Sequence, residues 1–417
     1  MDIKERIALA NETAVRNIVD SDPVWIDVMP AKDVINGLGD RTILHAGPYI
    51  EYADMVELHK RSMRNAAIIE GWAKDDNEAD AMLRAGEIRL DAALNYNTVG
   101  AGIGVITPNL QIMVIEDRRT GIRCADIPTE GDMEGGFAAW GRYSPEIRDN
   151  LKYLNNEVYP YLSEYLKQSG GIAIKPILAE SFQMGDEHHT RQDAAGALLA
   201  KKTVTDFAGM PWSQKTIRNV IHYITDTPRL FHPLGMGAAR SAMLSNVGLE
   251  YSTIVTAFGG NGVEFGMKVA GLGDTWFKIP APKLKGRYTS SLYTDADAVP
   301  WMGDSCVVEC AGMGGLAIAA SPMVARIQGK TLEEAIQQTR NMQKISAGRN
   351  PHFSIPTLGF DTLPVGIDIR LCLKEYIGPV LDGGNFHVNG GLIGAGFLEV
   401  PQPIFEDALV AFGNKYL

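Results

Sequence analysis

Residues 172–247 read IAIKPILAESFQMGDEHHTRQDAAGALLAKKTVTDFAGMPWSQKTIRNVIHYITDTPRLFHPLGMGAARSAMLSNV. Apolar residues recur through this stretch at helical spacing. Glycine or proline interrupts the pattern at Gly185, Gly209-Met210-Pro211, Pro228 and Pro233. The stretch therefore predicts four or so short helices, which we expect to pack together as a small helical domain spanning 141–247.

The sequence before this stretch alternates between helix and strand patterns. Apolar residues in 1–20 recur at helical spacing, and Asp22-Pro23 ends that pattern before the strand-like run VWIDV. Residues 54–73 and the run DNEADAMLRAGE predict two further helices. A helix followed by a strand and then two helices is what we expect at the start of a mixed α/β domain.

Three more segments complete the fold prediction. Residues 103–127 have the alternation and turns of a hairpin, 145–168 predict one long helix, and 331–347 predict another within glycine-rich strand patterns. Taken together, the segments predict an α+β fold. Two mixed α/β domains, 1–140 and 248–417, would have the small helical domain between them.

Composition and charge restrict the classes of partner. The 417 residues include 39 basic and 50 acidic side chains, a formal net charge of −11, which repels nucleic acid and anionic membranes. No apolar window approaches the ~20 residues needed to cross a bilayer, and the N-terminus lacks the pattern of an export signal. The four cysteines form no CxxC pair, which fits a reducing compartment. We expect a cytoplasmic protein that binds neither nucleic acid nor membranes.

The most concentrated polar run is GDEHHTR, from Gly185 to Arg191. It precedes a predicted helix, whose N-terminus favours anions. The carboxylates, imidazoles and guanidinium suit a proton shuttle or an oxyanion clamp, and spacing alone does not choose between them. We take Glu187 and His189 as candidate catalytic residues and Arg191 as a candidate anion-binding residue.

Two other interpretations of that run stay open. In the first, a divalent metal is held by a subset of four side chains, Asp186, Glu187, His188 and His189. Adjacent residues on a helix point to different sides, which disfavours joint ligation by His188 and His189, so no metal is assigned. In the second, the run is a solvated helix start capped by Asp186 or Thr190.

Clustered glycines are the second chemical signal. They let a backbone approach a ligand closely and aim N–H groups at an anion, although tight turns explain them equally well. None of the clusters has the features of a nucleotide-binding motif. Two clusters, GGNGVEFGMK and GMGG, contain the candidate residues Asn261, Gly262, Glu264, Lys268, Gly314 and Gly315. Asn261 suits a carbamoyl or amide group, and Glu264 suits an acid or base.

A third segment, Gly303-Asp304-Ser305, precedes an apolar run that contains Glu309 and that we predict to be a strand. A carboxylate inside an apolar segment must be paired or functional if it is buried. Simple pairing is the expectation here.

Several long motifs between about Asn36 and Pro403 carry a resemblance to a known family. They are GDEHHTR, NGVEFG with GLGDTWF, GDSCVVECAGMGGLAIAASP, and NPHFSIPTLGFDTLPVGIDIR with IGAGFLEVP. On these motifs the chain resembles the AllG (YlbE/YahG-like) family, formerly described as bacterial proteins of unknown function. The resemblance implies two mixed α/β domains plus a small helical one, which agrees with the segment patterns.

The resemblance also implies a function. AllG-type proteins are a subunit of oxamate carbamoyltransferase, acting with two other subunits, one of them similar to acyl-CoA synthetases, in anaerobic purine and allantoin breakdown. The implied reaction is phosphorolysis of oxalurate, or a related ureido acid, to oxamate and carbamoyl phosphate, with phosphate as co-substrate and no certain cofactor. Arg191, Lys268 and glycine N–H groups are available to stabilise the developing oxyanion. His189 is the first choice to protonate the leaving nitrogen.

Two alternatives remain besides a catalytic subunit, which we expect to be homo-oligomeric. The chain is a non-catalytic scaffold for the acyl-CoA-synthetase-like partner in one, and its polar clusters serve the interface. It is a metal-dependent amide hydrolase in the other, which predicts a bound divalent metal and turnover without phosphate.

Overall fold

A computed structural model describes residues 2–100, 102–129 and 144–417. Helices and strands both contribute extensively, so the predicted α+β class is confirmed. The helices are α1 (Ile3–Val19), α2 (Glu57–Ile69), α3 (Asp76–Arg84), α4 (Pro145–Glu157), α5 (Tyr159–Ser169), α6 (Lys175–Gln183), α7 (Asp193–Gly209), α8 (Gln214–Asp226), α9 (Phe231–Leu244), α10 (Val307–Cys310), α11 (Pro322–Ile327), α12 (Leu332–Lys344), α13 (Ile369–Glu375) and α14 (Pro403–Tyr416).

The strands are β1 (Pro23–Pro30), β2 (Thr42–His45), β3 (Arg89–Ala92), β4 (Thr98–Val99), β5 (Gln111–Asp117), β6 (Ile122–Asp126), β7 (Ile172–Ala173), β8 (Val255–Asn261), β9 (Glu264–Val269), β10 (Phe277–Pro280), β11 (Lys285–Tyr288), β12 (Met302–Gly303), β13 (Ser346–Ile355), β14 (Asp361–Ile367), β15 (Val380–Phe386) and β16 (Leu392–Glu399). They form a five-stranded sheet β4-β6-β5-β1-β7, a four-stranded sheet β10-β9-β8-β12, a three-stranded sheet β11-β16-β15, and the pairs β13-β14 and β2-β3.

Helix α9 lies at the centre of the molecule. It packs against β5 and β6 of the five-stranded sheet, and nearly all of its residues are buried. Its sequence permits this because it is apolar and rich in small residues. Gly237 contacts the side chain of Ile115 so closely that a Cβ atom would lie 2.5 Å from Ile115 Cδ1. The helix therefore bridges the sheet to the C-terminal half of the chain.

One hydrophobic core combines residues from all parts of the sequence. One cluster of buried side chains contains Ile18, Trp25, Phe231, Phe258 and Phe405, which come from all three predicted domains. Strand β7, at the start of the stretch predicted to be wholly helical, also joins the first sheet by pairing with β1. The division into three domains stays a prediction, and its boundary at 140 lies outside the described residues.

Most of the predicted elements are present with small changes at their ends. The hairpin is β5 and β6, and the stretch after Gly171 contains α6, α7, α8 and α9. Helix α12 begins with a capping box between Thr331 and Glu334. The predicted long helix 145–168 is divided at Val158, because Pro160 in the first turn of α5 cannot continue the helix before it.

One prediction was wrong at a place that matters. The apolar run around Glu309 is not a strand but the single helical turn α10, between Gly303 and Gly312, which both have positive φ. A short apolar run between glycines does not distinguish a strand from a buried helical turn. Among the described residues, no helix combines the length and apolarity needed to cross a bilayer.

Candidate active site

A cavity of about 500 Å³ lies beside the N-terminal end of α9, between the end of β6 and strands β11, β15 and β16. Much of its wall is apolar, including Trp301, Met236 and Phe386. Polar and charged side chains also line it, among them His189, Arg229, His232, Arg287 and Ser305. A volume within about 300–1,000 Å³ and a few convergent polar groups are typical of a small-molecule site. We take this cavity as the candidate active site.

Three side chains form a continuous hydrogen-bonded chain at the cavity wall. His189 Nε2 lies 2.8 Å from Ser305 Oγ, and His189 Nδ1 lies 2.7 Å from Glu309 Oε1. Because a carboxylate accepts at Nδ1, that nitrogen carries the ring proton and Nε2 accepts from the serine hydroxyl. His189 and Glu309 are buried, whereas Ser305 is partly exposed and lines the cavity. This is the arrangement of a nucleophile, a base and an orienting carboxylate.

The backbone around α10 places Ser305 and Glu309 on the same side. They are four residues apart across one helical turn, so the His189 ring reaches both. Asp304, which directly precedes Ser305, is buried and accepts the N–H groups of Gly47 at 2.7 Å and Gly100 at 3.1 Å. These bonds fix the serine loop to the N-terminal half of the chain.

Gly314 and Gly315 hold the Glu309 carboxylate. Its Oε1 also accepts the N–H groups of Gly315 at 3.1 Å and Asp382 at 2.9 Å. Gly314 has a φ of 58°, and a Cβ atom there would lie 2.2 Å from Glu309 Oε1. The glycine pair predicted to bind a substrate anion thus contacts an anion of the protein itself, and neither glycine lines the cavity.

Glu187 organises the loop that carries His189. Its carboxylate accepts the backbone N–H groups of His189, Thr190 and Arg191, and its own carbonyl accepts from Gly314 at 2.6 Å. Burial raises the pKa of Glu187 well above its usual value, and the nearby Asp382 adds to the shift. Glu187 does not line the cavity, so its role is to position the loop that carries His189.

The neighbouring residues of that run face away from the cavity. His188 Nε2 lies 2.8 Å from Ser181 Oγ, its ring contacts Phe182, and burial lowers its pKa to about 3. Asp186 accepts the N–H groups of Ala194 and Ala195 in the first turn of α7. The described residues contain no group of three or more histidines, cysteines and carboxylates arranged to hold a metal. The prediction that the run Gly185–Arg191 binds a metal therefore has no support from such a group.

Arg191 and Lys268, the predicted anion-binding cations, are both paired. Arg191 lies 2.8 Å from Asp186 Oδ1 and 3.2 Å from Asp193 Oδ2. The Lys268 side chain is fully buried, with Nζ 2.9 Å from Asn95 Oδ1 and 3.4 Å from Asp274 Oδ1. Neither side chain lines the cavity.

Asn261, Gly262 and Glu264 form the hairpin between β8 and β9. Asn261 Oδ1 accepts the N–H groups of Val263 and Glu264, and its amide donates to Pro48 at 2.9 Å. Gly262 has a φ of 85°, and Glu264 pairs with Lys278 at 2.9 Å. These contacts match the tight turn that the sequence left open as an alternative, and the three residues lie outside the cavity lining.

Sequence reasoning missed the two arginines of the cavity. Arg229 donates to the His189 carbonyl at 2.8 Å, and Arg287 is exposed on β11. Within the described parts of the chain, neither guanidinium has an ion-pair partner. Arg229 follows a proline and has a left-handed φ of 57°, which no sequence pattern predicts for an arginine. The two cations are therefore available to a carboxylate or a phosphate.

His232 supplies a neutral hydrogen-bond donor. Gln192 donates to His232 Nδ1 at 2.9 Å, and its orientation is fixed because the same amide nitrogen donates to the His189 carbonyl. The ring proton of neutral His232 is thus on Nε2. Burial lowers the pKa of His232 well below its usual value, and the charge of Arg229 adds to the effect. The ring stacks on His189 with centroids 5.8 Å apart.

The buried carboxyl group of Asp382 predicts a pH-dependent stability. Burial, reinforced by Glu309, raises its pKa from 3.8 to about 7. Between about pH 4 and 7 the native state then binds more protons than the unfolded state, so the free energy of unfolding falls as pH rises. Asp382→Asn keeps the acceptor for Gln328. This substitution should reduce the total decrease in the free energy of unfolding over that pH range by on the order of 2–4 kcal/mol.

Urea titrations at a series of pH values between about 4 and 7 measure this difference. The exposed Asp407→Asn is the matched control and should follow the unmodified protein. An Asp382→Asn curve as steep as that of the unmodified protein would contradict a raised pKa for Asp382.

Comparisons with known proteins agree on one family. The family model "Oxamate carbamoyltransferase subunit AllG" matches residues 88–305. The chain is 32% identical to the Escherichia coli protein of the same name, covering 98% of both chains. It is also 32% identical to the E. coli "Uncharacterized protein YahG", covering 99% of this chain and 88% of that protein.

A solved structure shows that the fold is shared over the full length. The crystal structure of a conserved protein of unknown function from Enterococcus faecalis has a TM-score of 0.96 and 32% sequence identity, with 100% of both chains covered. With near-complete coverage of two relatives and a family model over more than half of the sequence, the chain belongs to the AllG family.

Proposed function

We propose that this chain carries the carbamoyl-transfer site of an oxamate carbamoyltransferase-like enzyme, in the cavity beside His189. The observation that carries the proposal is the chain Ser305–His189–Glu309, which reaches a cavity with two arginines that have no carboxylate partner among the described residues. A base held by a buried carboxylate suits acyl-type transfer, and free guanidinium groups suit an anionic substrate.

The proposed reaction is the phosphorolysis of oxalurate, or a related ureido acid, to oxamate and carbamoyl phosphate. Arg229 and Arg287 bind the carboxylate of the ureido acid and the phosphate. His189 Nε2 moves the proton that the leaving oxamate nitrogen needs, and Glu309 orients the ring and stabilises its charged form. The His232 N–H is a further neutral donor for a carbonyl oxygen. Apolar walls such as Met236 and Phe386 limit the access of water.

The proposal extends to partners and setting. The E. coli relative is named as a subunit, and we propose that this chain also works in a complex, with two other subunits of which one resembles acyl-CoA synthetases. The setting would be anaerobic purine or allantoin breakdown in the cytoplasm. Phosphate is the proposed co-substrate, and no step of the proposal uses a metal.

Arg287 and Arg191 provide a matched pair of substitutions. Arg287→Ala should weaken oxamate binding by roughly 10- to 100-fold, the value of one charge-assisted hydrogen bond, and leave the melting temperature unchanged. Arg191→Ala should lower the melting temperature and leave oxamate binding unchanged, because it leaves the buried Asp186 without its cation. Calorimetric titration with oxamate and thermal unfolding of both variants measure the contrast. Loss of binding in Arg191→Ala alone would instead support the assignment of Arg191 made from the sequence.

The proposal is tested by assaying carbamoyl phosphate formation from oxalurate and phosphate, and binding of each compound, with the chain alone and with its two partner subunits. Binding by the chain alone supports a substrate site in this cavity. Activity of the assembly that is unaffected by substitutions at His189 and Arg287 would favour a scaffold. Turnover without phosphate that requires a divalent metal would favour the amide hydrolase.

A further inference from the structure

We infer that the carbamoyl group is transferred through a covalent ester on Ser305, an inference that rests on the proposed function. The hydrogen-bond directions support it. Glu309 accepts the Nδ1 proton of His189, which in the neutral imidazole leaves Nε2 as an acceptor only. The Ser305 hydroxyl must then donate its proton to Nε2, across 2.8 Å, and so is already placed for deprotonation.

The surroundings of Ser305 leave its oxygen available to a substrate. Its hydroxyl oxygen has His189 as its one hydrogen-bond partner in the described chain, and the residue lines the cavity. Ser305 shares the cavity with Arg229 and Arg287, whose guanidinium groups have no ion-pair partner among the described residues. This is the relation required between a nucleophile and the anion-binding part of its substrate.

An oxyanion donor is also present beside the nucleophile. The backbone N–H of Cys306 follows Ser305 directly, and within the described residues it has no hydrogen-bond acceptor. In serine nucleophile sites of other folds, the N–H of the following residue stabilises the tetrahedral oxyanion. The hydrogen bonds of Asp304 to Gly47 and Gly100 fix this loop and therefore also fix the backbone N–H of Cys306 next to Ser305.

The first half-reaction releases oxamate. Ser305 Oγ attacks the carbamoyl carbon of the ureido acid, and the hydroxyl proton passes to His189 Nε2. The bond between the carbamoyl carbon and the amide nitrogen then breaks, and His189 returns that proton to the nitrogen. The products are oxamate and a carbamoyl ester of Ser305, with no change in oxidation state and no other reactant.

The second half-reaction uses hydrogen phosphate. A phosphate oxygen attacks the carbamoyl carbon, and the phosphate hydroxyl proton passes to His189. The bond from that carbon to Ser305 Oγ breaks, and His189 protonates Oγ as it leaves. Carbamoyl phosphate departs and the serine hydroxyl is restored. Each half-reaction is reversible and involves only one of the two carbamoyl acceptors, oxamate or phosphate.

Isotope exchange separates this route from direct transfer. The full assembly, with its partner subunits, is incubated with carbamoyl phosphate and labelled phosphate in the absence of oxamate and ureido acid. A covalent intermediate predicts that label enters carbamoyl phosphate, and that one carbamoyl group is found by mass spectrometry on the peptide that contains Ser305. Ser305→Ala should lower the exchange by at least about 1,000-fold, while Ser169→Ala, at the end of α5, should leave it unchanged.

The experiment distinguishes failure of the covalent route from failure of the proposed function. Overall transfer by the unmodified assembly with no exchange in the absence of oxamate would overturn the covalent route and leave the proposed function standing. Full exchange by a folded Ser305→Ala variant would also overturn it. An assembly with no overall transfer from oxalurate to phosphate would overturn both. Because exchange is measured first on the unmodified protein, the test does not depend on the folding of the variant.

Discussion

Replacing His189 by glutamine is expected to lower the rate of carbamoyl transfer by about 1,000-fold. The imidazole forms hydrogen bonds with both Ser305 and Glu309, and removal of a general acid–base group costs typically 100- to 10,000-fold. Glutamine can still donate to Glu309, so the melting temperature should change little. Steady-state rates of the reconstituted assembly and thermal unfolding of the variant measure the two effects.

The adjacent His188→Gln is the matched control. His188 is buried against Phe182 and bonds Ser181, outside the cavity, so its substitution should reduce stability and leave the rate near that of the unmodified protein. An active His189→Gln together with an inactive but folded His188→Gln would mean that His188, and not His189, is the catalytic histidine.

Replacing Glu309 by glutamine is expected to lower the rate by about 1,000- to 10,000-fold, the cost of losing the carboxylate that orients a catalytic imidazole. The amide oxygen can keep the bonds from Gly315 and Asp382, and the amide nitrogen takes the place of Oε2, which has no partner in the described chain. The fold should therefore hold.

Glu264→Gln provides the contrast for Glu309→Gln. Glu264 is the second proton donor suggested by the sequence, and in the structure it pairs with Lys278 on the β8–β9 hairpin. Its rate and pH profile should match those of the unmodified protein. A large loss of rate in Glu264→Gln, with Glu309→Gln unaffected, would mean that the chemistry takes place at the hairpin.

The order of helices and strands was largely predictable because each depends on local periodicity and on glycine and proline. The relation of Ser305 to Glu309 was not, because the run between them was assigned to a strand. Four residues span about 13 Å in a strand but about 6 Å in a helix. Only the helical turn lets one histidine ring contact both side chains, and the glycines at 303 and 312 were the available signal.

The site itself depended on tertiary structure. His189 was identified from the polar run, but Glu187 and Asp186 of the same run bond backbone N–H groups, as short-range capping contacts do. Arg229 and Arg287 reach the cavity from an irregular residue before α9 and from β11. Nothing in the sequence between them indicates proximity, and both belong to unremarkable local patterns. The sequence thus predicted the family and His189 of the candidate site, and it singled out the segment of Ser305 and Glu309, while packing supplied the rest.

The position of bound oxamate in a crystal of the chain tests whether the cavity beside α9 is the substrate site. We expect electron density in this cavity, with the oxamate carboxylate within hydrogen-bond distance of Arg229 or Arg287 and its amide nitrogen facing Ser305 and His189. Oxamate bound at another site of this chain, or only in a partner subunit when the assembly is crystallised, would contradict it.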